Sequence, residues 1–133
     1  MKAKIVLIRH GMTQGNQEHR YVGTTDEGLL PESVEDLRGM QEFWQKQVPM
    51  NGRIVADSVH DEIEIVPGKI TCEQYSEKNE NKNQVVYVSP YLRAKQTADI
   101  LFPDAGKVEI PELAECRFGE FEYMNYAELN GNP

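Results

Sequence analysis

The sequence predicts an α/β fold with a mainly parallel sheet, and three observations predict it. The runs Ala3–Ile8 and Val85–Val88 are short and almost continuously apolar, as strands covered on both faces are. A helix-forming stretch with apolar residues at three- and four-residue steps follows each strand at some distance. The residues able to do chemistry fall just after the strands, where open α/β sheets bind ligands.

Taken in order, Ala3–Ile8 is the first strand, and residues 9–30 form a long Gly- and Thr-rich loop. Pro31 opens a helix at a position that tolerates proline. Val34, Leu37, Met40, Trp44 and Val48 make its apolar face, with Gly39 as a weak point. Arg53–Ala56 and Glu62–Val66 read as a hairpin around Asp57–Asp61, and Pro67-Gly68 as a turn. The run EQYSEKNENKNQ, 73–84, is a solvated loop. Val85–Val88 is the next strand, and Tyr91–Leu101 a helix with Leu92, Ala98 and Leu101 as apolar positions. Val108–Ile110 reads as a third strand, Pro111–Glu122 as a loop, and Tyr126–Leu129 as the start of a helix.

A length of 133 residues suits a single domain, 1–133. No window holds the roughly 18 consecutive apolar residues of a membrane span. The start MKAKIVLIRHG lacks a full apolar signal region, so it reads as strand, with the cytoplasm as default compartment. Cys72 and Cys116 form no metal-binding or redox pair. The net charge of −8, with no basic stripe, argues against nucleic acid and anionic membranes as partners. A small anionic substrate stays compatible if arginines gather locally.

They do gather after the strands. Arg9-His10-Gly11 ends the first strand, Ser89-Pro90 and Arg93 follow Val85–Val88, and Glu115 follows Val108–Ile110. A phosphate suits guanidinium groups, which Arg9, Arg20 and Arg93 supply. Neutral imidazole attacks phosphorus through one nitrogen when a carbonyl holds the other as N–H, a role for His10. Gly11 lets the backbone approach the ligand. The leaving oxygen needs a proton, for which Glu115 is the candidate donor. Such a site needs no metal and no cofactor, because the arginines stabilise the transferring group. A cysteine phosphatase loop is excluded, since the sixth residue after Cys72 is Lys78 and after Cys116 is Glu122. Nucleotide-binding GxxxxGK and GxGxxG loops are absent.

IRHGMTQGN, RYVGTTD, VSPYLRAKQTA and LAECRFGEFE, in that order, resemble the histidine phosphatase superfamily, the phosphoglycerate mutase-like family. The resemblance covers most of the chain except 49–84, which reads as an atypical insertion. It implies a three-layer α/β/α fold and phosphomonoester hydrolysis through a phosphohistidine on His10. Arg9 and Arg93 would hold the phosphate and Glu115 donate the proton. Gly11, Asn16, Arg20, Gly23 and Ser89 would complete the substrate site. A small phosphorylated metabolite is the implied partner, and the FGEFE context is similar to small bacterial phosphatases of the alpha-ribazole type.

Two departures qualify this. The family's second catalytic His-Gly is missing, since His19 and His60 do not match it and read as surface residues. The chain therefore reads as truncated, without a strand from the sheet centre, and the bared edges imply self-association. The alternative is a fragment or degenerate relative that binds phosphate or a partner without turnover. Tyr123 stands where a glycine is common.

Overall fold

The computed structural model describes residues 6–47, 53–56 and 84–131. One parallel sheet runs in the order β1 (Val6–Ile8), β2 (Arg53–Ala56), β3 (Val85–Val88), β4 (Gly106–Glu109). Helices α1 (Gln14–Gln17), α2 (Pro31–Gln47), α3 (Leu92–Leu101) and α4 (Tyr126–Asn130) accompany it. Single 3-10 turns lie at Pro111–Leu113 and Gly119–Phe121. The expected α/β fold with a parallel sheet is what forms.

β2 corrects one expectation, the hairpin. It pairs with β1 on one side (Leu7 opposite Val55) and with β3 on the other (Val55 opposite Tyr87). Among the described residues the sheet therefore runs without a gap, with β1 and β4 at its edges. A strand with both edges occupied also has no edge left for a hairpin mate in this sheet. Ile-Val-Ala is an apolar run suited to such a central place. The expected strand Glu62–Val66, the turn at Pro67-Gly68, and Val48, His60 and Cys72 lie outside the described residues.

α2 and α3 pack against each other on one face of the sheet, as right-handed crossovers between neighbouring parallel strands require. Gln41 and Gln45 of α2 donate side-chain N–H bonds to the carbonyls of Ile100 (2.8 Å) and Leu101 (3.2 Å). Those carbonyls belong to the last turn of α3, which has no partners inside the helix. Between helices and sheet lies a core of Ile8, Leu37, Val86, Val88, Ala98, Leu101, Phe102 and Ala105. Burying a leucine such as Leu101 contributes about 1.5–3 kcal/mol. Tyr87, which points to the opposite face from Val86 and Val88, is buried too, so β3 is covered on both sides.

Three details differ from the periodicity reading. Ala94, Thr97, Ala98 and Leu101 form the buried i, i+3, i+4, i+7 stripe of α3, and Leu92, out of phase with it, is exposed. Met40 of α2 is exposed as well, while Leu37 is buried. β4 begins two residues earlier than Val108, and Ile110 still donates its N–H to the Val88 carbonyl at 2.8 Å.

Candidate active site

The loop after β1 is held by α2 and α3. Gly11 N–H donates to Thr97 Oγ1 (3.0 Å), and that hydroxyl donates to the Arg93 carbonyl (2.8 Å). Met12 N–H donates to Ser33 Oγ at 2.7 Å. A Cβ on Gly11 would lie 2.4 Å from Ser33 Oγ and 2.9 Å from Leu37 Cδ1. Close packing on α2 therefore favours glycine at this position. Thr13 then starts α1 through a capping box. Thr13 N–H donates to Asn16 Oδ1 (3.1 Å), and Asn16 N–H donates to Thr13 Oγ1 (3.3 Å).

This scaffold presents His10. Its Nδ1 lies 2.6 Å from the Gly11 carbonyl oxygen. A carbonyl only accepts, so Nδ1 carries the proton and Nε2 of the neutral ring keeps its lone pair. The pKa of His10 is lowered from its ordinary 6.5. Burial is the main cause, and the nearby charges of Arg93 and Arg9 act in the same direction. The bond to Gly11 and the charge of Glu115 oppose them. The ring is thus set neutral near pH 7.

A cavity of about 340 Å³ opens beside it, lined by Arg9, His10, Gly11, Met12, Asn16, His19, Arg20 and Tyr126. The structure therefore brings His10, Arg9, Gly11, Asn16 and Arg20 together. Arg93, Glu115, Gly23 and Ser89 are not among the lining residues. Arg93 is buried and donates to the carbonyls of Thr25 (3.0 Å) and Gly23 (3.1 Å), using two of its five N–H groups. Its guanidinium also lies over the Tyr91 ring, 4.4 Å from the centroid. Arg93 and Glu115 act on His10 through charge, and Glu115 Oε1 accepts from Cys116 N–H at 3.1 Å. Ser89 is buried at the end of β3. Gly23 is a packing glycine, since a Cβ there would lie 2.4 Å from the Cys116 carbonyl oxygen. Arg20 pairs with Glu18 and, at 3.7 Å, with Glu128, and donates to the Tyr123 carbonyl at 2.9 Å.

Several contributors take their role only from contacts made across the fold. Thr97, a residue of the second motif, and Ser33, which the sequence did not single out, anchor the His10 loop. Glu122 Oε1 accepts from Gly23 N–H (3.0 Å), Thr25 N–H (2.8 Å) and Thr25 Oγ1 (2.8 Å). Residues 23–25 are thus gripped by a carboxylate through their N–H groups and by Arg93 through their carbonyls. Burial pushes the Glu122 carboxyl up, but the donors from Thr25, Gly23 and Thr24 outweigh it and leave its pKa lowered. His19 is exposed, as expected, yet it lines the cavity. Among the described residues no group of His, Cys, Asp or Glu could hold a metal ion, and no helix is long and apolar enough to cross a membrane.

Solved structures share this fold. A phosphoserine phosphatase from Entamoeba histolytica, crystallised with 3-phosphoglyceric acid, matches 98% of this chain and 49% of its own, with TM-score 0.65 and 23% identity. An alpha-ribazole phosphatase from Shigella flexneri matches 96% of this chain and 48% of its own, with TM-score 0.60 and 21% identity. A 2,3-bisphosphoglycerate-dependent phosphoglycerate mutase from Nautilia profundicola is 42% identical over 36 residues, 27% of this chain and 16% of its own. The chain spans about half the length of those two solved phosphatases. The family match itself passes over 57–70 but includes β2. With residues 5–56 and 71–133 both matching the family model, the chain belongs to the histidine phosphatase superfamily, branch 1.

Proposed function

We propose that the chain carries the nucleophile and phosphate end of a phosphomonoesterase site that works through a phosphohistidine on His10. The observation that carries this is the Nδ1 contact to the Gly11 carbonyl, made in a cavity shared with Arg9, Asn16 and Arg20. Nε2 attacks phosphorus, and the bond from phosphorus to the ester oxygen breaks. Glu115 protonates the departing alkoxide. Water then attacks the phosphohistidine, the P–N bond breaks, Glu115 takes the water's proton, and inorganic phosphate leaves. Arg9 and Arg93 offset the charge on the transferring group in both steps. The proposed reaction uses no metal, and its substrate is a small phosphorylated metabolite.

The test is to mix the chain with excess para-nitrophenyl phosphate in chelator and quench with acid or alkali. Protein-bound phosphate that is lost in acid and kept in alkali is expected, and His10→Ala should abolish it. Protein-bound phosphate that persists in His10→Ala would sink the mechanism.

A second reading is binding of phosphate without turnover. It is favoured by the engagement of Arg93 with loop carbonyls and of Glu115 Oε1 with Cys116 N–H. It expects inorganic phosphate at about 100 times its Kd to stabilise the fold by about 2.7 kcal/mol, with no ester consumed.

A further inference from the structure

The His10 cavity has an aromatic side that the phosphate chemistry does not use. His19 and Tyr126 line it together with the cationic residues. Tyr126 is 47% exposed, so much of its ring is open to contact. The two rings lie 6.1 Å apart, centroid to centroid, and are inclined by 32°. Behind them Tyr126 packs on Tyr21 at 4.8 Å, and Tyr21 on Phe118 at 5.2 Å. This backing holds Tyr126 in place.

The backbone also fixes the pair. Tyr126 N–H donates to the His19 carbonyl (3.1 Å), Tyr21 N–H to Met124 O (3.0 Å), and Tyr123 N–H to Tyr21 O (2.8 Å). His19 has φ +55° and directly follows Glu18, the C-cap of α1. Its own N–H donates to Asn16 O at 3.1 Å, and Arg20 N–H donates to Gly15 O at 2.8 Å. These two bonds close α1 in the common left-handed helix-terminating turn, and that turn sets His19 at the cavity.

We infer that His19 and Tyr126 receive the organic part of the ester, and that the site prefers phosphomonoesters whose alcohol carries a flat aromatic ring. This rests on the phosphate reading of the His10 cavity. A volume of about 340 Å³ is near the small end for ligand sites, enough for one phosphate and one ring. The arginines hold the dianion, and the ring packs against Tyr126 by offset or edge contact. A saturated ring of the same size covers similar area but lacks the quadrupole that favours such contact.

The test compares benzyl phosphate, cyclohexylmethyl phosphate and inorganic phosphate by calorimetric titration against the whole chain. Both esters have aliphatic leaving oxygens, so intrinsic reactivity does not confuse the comparison. Benzyl phosphate should bind about fivefold tighter than its saturated analogue. Tyr126→Leu should bring that ratio close to one. His19→Asn, which tolerates the left-handed backbone, should reduce it as well. If all three ligands bind and the two esters bind equally, the aromatic preference is wrong while the phosphate reading stands. If the ratio survives Tyr126→Leu, these residues do not supply it and the inference fails. If none of the three binds, the phosphate reading fails and takes the inference with it.

Discussion

Replacing Glu122 by glutamine probes how the loop beside Arg93 is held. Three donors converge on Glu122 Oε1: Gly23 N–H, Thr25 N–H and Thr25 Oγ1–H. A hydrogen bond to a charged group is worth about 1.5–3 kcal/mol net, but three donors sharing one oxygen do not add fully, so the set is worth about 3 kcal/mol. Glutamine keeps an acceptor there but removes the charge, which halves such bonds. The expected loss is therefore about 1.5 kcal/mol at pH 7. In urea unfolding this lowers the midpoint by about 1 M for a chain of this size. The sign with pH follows from the lowered pKa of Glu122. Its ionised form stabilises the fold above the unfolded pKa near 4.5, and this contribution is lost as pH falls through the lower folded value. The difference between wild type and Glu122→Gln should thus shrink from pH 7 to pH 3. Equal midpoints at pH 7, or a difference that does not change with pH, would refute the clamp.

Other outcomes follow from the same geometry. Gly39→Ala should raise stability by about 0.5–1 kcal/mol, because a Cβ there meets nothing within 4 Å and alanine is the better helix former; thermal unfolding reads it, and a fall in Tm would contradict it. Thr97→Val should cost about 1–2 kcal/mol, since it leaves Gly11 N–H without its acceptor, and amide exchange at Gly11 should accelerate. If the proposed turnover is found, the acid limb of kcat/KM should have its midpoint below 6.5, because burial and the arginines keep His10 neutral to lower pH. A midpoint at or above 6.5 would count against His10 as the titrating group. The same lowering means that the folded state resists protonating His10, so stability declines as pH falls through the folded pKa.

Patterns local in sequence were enough for the strand ends, the helix from Pro31 and the placing of Arg9-His10-Gly11 after β1. Apolar periodicity and turn chemistry act between near neighbours, so they can be read along the chain. Four ordered motifs were enough for the family. The same patterns could not place Arg53–Ala56, because a strand's partners are chosen by hydrogen bonding to distant segments. Only the assembled sheet put it between β1 and β3. Nor could they separate the reasons for glycine. Gly11 and Gly23 are required by Ser33, Leu37 and Cys116, residues 22 to 93 positions away. Tyr123 adopts φ +64° where a glycine was expected, and is held by its OH bond to Glu27 (3.0 Å) and by the Arg20 guanidinium over its ring. The site divides in the same way. His10 and its arginines were visible as residue types, but which of them line the cavity was decided by loops meeting across the fold. Thr97 and Glu122 were visible as motif residues, but contacts between distant segments leave no period, and so their partners, and the pairing of His19 with Tyr126, came from the tertiary structure alone.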